Sequence, residues 1–274
     1  MNQKRILLHI GSPKCGSTYL QRVMLQNTKT LRADGIHYPH DGQAHPGNAA
    51  KLEKVTASCL DAMFEPEIHS IVLSHEDLFM QPQRGKSLAR LAKQREIEIT
   101  PIVFLRPFSD FIFGDYSQFM KQNFHKYLKT RQPYEGRTFE EFAVARERAI
   151  PITTALKSWE KCFANTQLKV HGHHNIRSVT ESWLNTTTPL KWEVPRDITN
   201  PSLRIQDCEA LVEALQNPEN SDAAVRKLLK HALHNVDTPD PGRTAERRKW
   251  IEALFQRHNK NLQTLFGFDN RLRN

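Results

Sequence analysis

Residues 11–18 read Gly-Ser-Pro-Lys-Cys-Gly-Ser-Thr and follow directly on the apolar run Leu7-Leu8-His9-Ile10. Two glycines five positions apart, a lysine between them and a hydroxyl pair behind them are the residue types of a loop that holds an oxyanion. A strand ending in Gly11 and a helix starting near Ser17 would aim unpaired backbone N–H groups and the positive end of the helix dipole at one point. Gly16 lets the backbone approach a ligand closely, Ser17 and Thr18 can donate hydroxyl hydrogen bonds while capping the helix, and Lys14 adds a full positive charge. The nucleoside-triphosphate version of such a loop, G-x-x-x-x-G-K-[ST], places its lysine directly after the second glycine. Here Ser17 stands in that place and the lysine sits three residues earlier. A β/γ-phosphate contact of the kinase type is therefore lost, and the Mg²⁺-binding hydroxyl falls in another frame. The spacing suits a ligand with less charge at the loop, bound without metal and neutralised by one lysine and the helix end. The plain alternative is a strand-turn-helix connection with a capping serine.

A second group of reactive side chains, Ser74-His75-Glu76, closes the run Ile71–Ser74. In open α/β sheets ligands sit at the carboxyl ends of strands, so Glu76 and His75 are candidates to accept a proton from an acceptor group. Adjacent strand residues point to opposite faces, so one of the two is expected to face the cleft. The alternative is that Glu76 and Asp77 cap the following turn or pair with surface bases. A Walker B reading would want an aspartate where Ser74 stands. His37, His40 and His45 lie in a Gly- and Pro-containing stretch, with no cysteine or carboxylate at a clear ligand spacing. That stretch reads either as a cover over an acceptor site, with His45 lining it, or as a solvent loop. His171-Gly172-His173-His174 ends a strand and is a further conceivable metal binder. Lys121, His125, Lys126, Lys129 and Arg131 form a run without acids that either steers an anionic acceptor or is a solvated helix end.

The segment Ser12-Pro13-Lys14-Cys15-Gly16-Ser17-Thr18-Tyr19-Leu20 resembles the 5′-phosphosulfate loop of sulfotransferases that use 3′-phosphoadenosine 5′-phosphosulfate (PAPS), in which Pro-Lys-x-Gly-[ST]-[ST] follows the first strand. The resemblance implies a fold related to the P-loop kinases, PAPS as co-substrate without metal, and transfer of a sulfuryl group to a hydroxyl or amine. It implies that Lys14, Cys15, Gly16, Ser17 and Thr18 hold the donor, with Lys14 also neutralising the leaving phosphate oxygen. In the family a strand ending in arginine and a serine eight residues on hold the 3′-phosphate. Here Ile102–Leu105 and Arg106 match the first part, but the eighth residue on is Gly114, and the nearest hydroxyl is Ser117. A surface arginine capping a strand is the alternative for Arg106. The run Asp110–Gln122, the Asn200-Pro201-Ser202-Leu203 step and the closing run Thr244–Gly267 resemble segments of bacterial sulfotransferase-like proteins. Glycan sulfotransferases use a glutamate as base and the cytosolic small-molecule branch a histidine, which implies Glu76 as base with His75 second. Two rivals remain: a P-loop kinase-like phosphotransferase, and a nucleotide-binding protein of the same fold without transfer activity.

To position these groups the chain must supply buried strands that end at residues 10, 73 and 105. Ile6–Ile10, Ile68–Leu73 and Ile99–Leu105 read as such strands. They alternate with helices over Ser17–Asn27, Lys86–Arg95 and Ser109–Leu128, and residues 34–50 read as loop. Short apolar runs alternating with longer helices predict a three-layer α/β/α fold around a central parallel sheet. The second half reads as helices over 138–149, 151–163, 178–186, 205–216, 221–234 and 244–265, with one strand at Gln167–His171. In the 205–216 helix Cys208 falls on the apolar face, as core filler. No Pro/Gly/Ser linker separates the halves, so residues 1–274 are expected to form a single domain. The 274 residues carry 38% hydrophobic residues and a formal charge of +9. That charge fits a polyanionic partner, such as a nucleotide or an acidic glycan as acceptor, or equally a basic surface. No nucleic-acid motif accompanies it. No run approaches the roughly 20 apolar residues of a membrane span. Four dispersed cysteines without a C-x-x-C pair argue against a zinc site and fit a reducing, cytoplasmic setting.

Overall fold

The computed structural model describes residues 3–163, 166–195 and 200–271. Its strands are β1 (Arg5–Ile10), β2 (Ile36–His37), β3 (Ser70–His75), β4 (Glu98–Leu105) and β5 (Lys169–Gly172). They form one parallel sheet in the order β2-β3-β1-β4-β5. Helices α1 (Ser17–Gln26) and α2 (Thr28–Ala33) follow β1, α3 (Ala57–Met63) precedes β3, and α4 (Lys86–Gln94) precedes β4. Then come α5 (Phe108–Thr130), α6 (Phe139–Ala149) and α7 (Ile152–Cys162). After β5 the chain forms α8 (Ile176–Leu184), α9 (Ile205–Gln216), α10 (Asp222–His234), α11 (Ala245–Leu254) and α12 (Gln256–Phe266).

The chain divides into two compact units. The first comprises Met1–Arg106, Ile152–Thr199 and Asn261–Asp269; the second comprises Pro107–Pro151, Asn200–Lys260 and Asn270–Asn274.

The first unit holds the sheet. Its central strands are near-continuous apolar runs because both faces are covered, as parallel sheets require. On one face Leu7, Val72, Ile102 and Phe104 pack with Leu20, Val23 and Met24 of α1, Leu31 of α2, and Ile176 and Leu184 of α8. The alternate residues Ile6, Leu8, Ile71, Leu73 and Val103 are equally buried. Trp159 of α7 is fully buried, and its indole N–H is shared between the carbonyls of Leu78 and Phe79, both at 3.1 Å. The result is an α/β fold compatible with three layers. The chain leaves β1 toward one edge of the sheet and leaves β4 toward the other, so the gap between the carboxyl ends of β1 and β4 is the topological switch point where ligands of such sheets bind.

The second unit is helical. Tyr116 stacks on Tyr134 at 3.9 Å between ring centres, and the Tyr134 hydroxyl donates to the Tyr116 carbonyl at 2.8 Å. Buried Asp115 pairs with Arg146 at 2.6 Å. Cys208 is fully buried, as its place on the apolar face of α9 predicts.

Several boundaries differ from the sequence reading. β3 begins and ends two residues later, at Ser70 and His75, so Ser74 and His75 lie inside the strand. α2, β2 and α3 have no counterpart among the elements expected from sequence: each is short, and none carries a helical or alternating period long enough to stand out. The closing helix is two helices that meet at Phe255.

Candidate functional site

The loop after β1 has the features of an anion cradle. Gly16, not Ser17, is the N-cap of α1; it sits at φ 88°, and no side chain caps the helix. The expectation that Ser17 and Thr18 cap α1 is corrected: α1 begins at Ser17 itself, so its hydroxyl lies one position past the cap. That hydroxyl oxygen is buried without a hydrogen-bond partner. No acidic residue occupies the first turn. Lys14 holds φ 60°, the left-handed region that favours glycine. Gly11 is required by proximity: a Cβ there would lie 2.5 Å from Glu76 Cα and 2.8 Å from the His75 carbonyl oxygen. At Gly16 a Cβ would meet Ile176 Cδ1 at 2.7 Å, so the first residue of α8 backs the loop.

Arg106 follows β4 at the other side of the switch point, and the structure brings it to the loop. The Cys15 thiol donates to the Pro13 carbonyl at 3.3 Å and lies 3.7 Å from Ser12 Oγ, and the Arg106 charge acts on it. Burial pushes the thiol pKa up, and the Arg106 charge and hydrogen bonds from Ser12 and Arg106 oppose that rise. Cys15 is thus an interior packing group of the loop. Gly114 lies in α5, in the second unit, and is buried. Ser117, the nearest hydroxyl in sequence, accepts a 2.7 Å hydrogen bond from the Leu203 N–H, so it fastens the Asn200–Leu203 step to α5. Lys121 serves the same junction, donating to Asn200 Oδ1 at 2.6 Å and to the Pro201 carbonyl at 2.7 Å. Arg131 pairs with Asp222 and Lys126 with Glu135. Lys121, Lys126 and Arg131 of the basic run therefore meet acids and acceptors of this unit, which favours the structural reading for these three.

At the end of β3 the side chains form one polar chain. Ser74 pairs across the ladder with His9, and its hydroxyl lies 2.7 Å from His9 Nδ1. Gln21 of α1 donates from its amide to Ser74 Oγ at 3.1 Å and to Glu76 Oε2 at 3.2 Å. Glu76 Oε1 lies 2.6 Å from His45 Nε2. Burial lowers the His9 pKa to about 4 despite the opposing pull of Glu76, so the ring is neutral. Glu76 is pushed up by burial but ends below its ordinary value, because its own backbone N–H and hydrogen bonds from His45 and Gln21 stabilise the carboxylate. The His75 pKa is lowered, chiefly by burial, against the raising effect of Glu76 and Asp77.

The alternation behind the expectation that only one of His75 and Glu76 faces the cleft does not run through this pair. The strand ends at His75 and a 3₁₀ turn starts at Glu76, so strict alternation stops between them. His45 then meets both: its ring stacks on His75 at 4.8 Å and its Nε2 reaches Glu76. Sequence spacing missed this pairing because His45 and Glu76 stand 31 positions apart, with α3 and β3 between them. The loop is braced by the Tyr38 hydroxyl on the Pro46 carbonyl at 2.7 Å and by His40 Nε2 on the His45 carbonyl at 2.8 Å. Asn48 fastens it to β3, accepting from Ser74 N at 2.8 Å and donating to the Val72 carbonyl at 2.9 Å.

His45, His75 and Glu76 offer three donor atoms within 4.8 Å, the one group of metal-ligand type among the described residues. The carboxylate absent from the sequence reading of the histidine loop is thus supplied in space by Glu76. The detailed geometry does not suit a metal. A histidine bound through Nε2 carries its proton on Nδ1 and donates it to an acceptor. Here both Nδ1 atoms face backbone donors instead, Gly47 N–H at 3.0 Å and Asp77 N–H at 3.2 Å. The two rings are stacked with 27° between their planes. The His171–His174 stretch forms no such group among the described residues.

A cavity of about 860 Å³ lies apart from these groups. Lys86, Arg90, Lys93 and Lys161 line it together with Ile97 and Ile99, at the opposite end of β4 from Arg106. Among the described residues no helix is long and apolar enough to cross a membrane. Comparison of the chain with protein-family models, curated proteins and solved structures finds no match.

Proposed function

We propose that the protein is a PAPS-dependent sulfotransferase with a P-loop NTPase-like nucleotide site. The observation that carries this reading is the uncapped start of α1 at the switch point, with the Ser17 hydroxyl buried and unpartnered. An oxyanion at that spot would satisfy the hydroxyl and the helix-end N–H groups together, and Lys14 stands in the same loop. Lys14, Cys15, Gly16, Ser17 and Thr18 would hold the 5′-phosphosulfate, and Arg106, drawn to Cys15, would face the 3′-phosphate. Glu76 would receive the proton. In the transfer, the acceptor oxygen or nitrogen forms a bond to sulfur while the bond from sulfur to the phosphate oxygen breaks. The acceptor proton passes to the Glu76 carboxylate, and adenosine 3′,5′-bisphosphate leaves with its new charge beside Lys14. His75 is a second proton acceptor, but it is almost fully buried whereas Glu76 is part-exposed.

Adenosine 3′,5′-bisphosphate is expected to raise the melting temperature without Mg²⁺, and Lys14→Ala to abolish that rise. Stabilisation by Mg-ATP with none by the bisphosphate would replace this reading with a phosphotransferase. Binding of the bisphosphate with no transfer of labelled sulfate to carbohydrate, phenol, lipid or peptide acceptors would leave a nucleotide-binding protein, a reading that Gly114 in the serine position favours.

A further inference from the structure

We propose that His45 is the positioning residue of Glu76, a loop histidine whose tautomer is set by the backbone so that it always presents a proton to that carboxylate. The inference rests on the reading of Glu76 as the proton acceptor. Gly47 N–H donates to His45 Nδ1 at 3.0 Å, which makes Nδ1 an acceptor and places the ring proton on Nε2. That N–H points at Glu76 Oε1 at 2.6 Å, while Gln21 holds Oε2. A carboxylate held by His45, Gln21 and its own backbone N–H has its direction fixed and about one lone-pair position still open, the condition for receiving a substrate proton.

Gly47 itself is part of the device. A Cβ there would stand 2.9 Å from His75 Cδ2, 3.0 Å from His45 Cε1 and 3.0 Å from Gln21 Nε2. The residue that supplies the orienting N–H therefore also has to lack a side chain, so that the two rings and the amide can close around it. The bracing contacts of Tyr38, His40 and Asn48 fix the backbone on both sides of His45. A mere solvent loop would need none of these. The remaining titratable groups around Glu76 are His75 and Asp77 on its own segment, Tyr38 on the loop and His9 on β1; Gln21 from α1 is neutral.

Two variants and two readouts test this. Nitrogen NMR of the whole protein is expected to show His45 in the Nε2–H tautomer, and the carbon-detected titration midpoint of Glu76 to rise by about one pH unit in His45→Ala. His45→Gln, which keeps an N–H donor, is expected to restore the midpoint. The second readout is release of labelled sulfate from PAPS to water. Its kcat/KM in His45→Ala is expected to lose its acid limb at a pH about one unit higher than wild type, again with rescue by glutamine, while bisphosphate binding is unchanged. An Nδ1–H tautomer, or a Glu76 midpoint indifferent to both variants, overturns the inference. Zn²⁺ binding by calorimetry that disappears in His45→Ala also overturns it, in favour of a metal triad. If wild type binds no bisphosphate and releases no sulfate, the transferase reading falls, and the NMR result alone still decides whether His45 orients Glu76.

Discussion

Gln21 gives hydrogen bonds to Ser74 and Glu76 from one amide nitrogen, and its own carbonyl oxygen is buried with no partner. A side chain left half satisfied in the interior is costly, which marks Gln21 as held there by the groups it connects. Beyond it the chain ends at His9, whose neutral form the fold selects. The unfolded ring takes a proton near its ordinary value of 6.5 and the folded one near 4, so between those pH values the unfolded state holds more protons. Stability is therefore expected to fall as pH drops through that window, by about 1.4 kcal/mol per unit at most. Denaturant titrations at pH 7, 5.5 and 4.5 would show the slope, and His9→Gln is expected to flatten it. An equal slope in the variant would place the acid sensitivity elsewhere.

The elements that build the site were legible to unequal degrees. β1, β4 and α1 announce themselves, because a buried run, glycines and a helical stripe of Leu20, Val23 and Met24 coincide in a few residues. The shift of β3 was not legible, since Ile68 is apolar and buried but belongs to the turn before the strand, while polar Ser74 belongs to it through its bond to His9. The switch point follows from strand order, which a pattern of alternation does not contain. His45 at Glu76 was beyond reach for a related reason: its place depends on Asn48 and Tyr38, side chains whose partners lie in other elements. Close packing of two strand ends yields a test at this scale. Gly11→Ala would drive a methyl into the backbone of residues 75 and 76, with an expected cost of about 1–3 kcal/mol and loss of bisphosphate binding. A chemical-denaturation midpoint equal to wild type would show that the strand ends can separate freely.

Over the whole molecule no linker was visible in the sequence because each compact unit is assembled from three separate segments of the chain. Net charge also acts at this scale. A formal +9 attracts anions over a distance that salt shortens, so the association rate of adenosine 3′,5′-bisphosphate is expected to fall several-fold between about 10 and 150 mM salt. Stopped-flow measurements showing no salt dependence would mean that the charge is spread away from the site. The two-residue strand β2 has a further consequence for molecules in contact with one another. It covers only Ser70 and Ile71 of β3, leaving the upper half of that strand with a bare edge on one side. Asn48 occupies that edge, taking the Ser74 N–H and giving to the Val72 carbonyl, while its own backbone N–H goes to the Ser74 carbonyl. With the Ala49 N–H, which also reaches the Ser74 carbonyl, it works as a stopper two residues long: without the Asn48 side chain, β3 would present its Ser74 N–H and Val72 carbonyl to any extended peptide, including a second copy of itself.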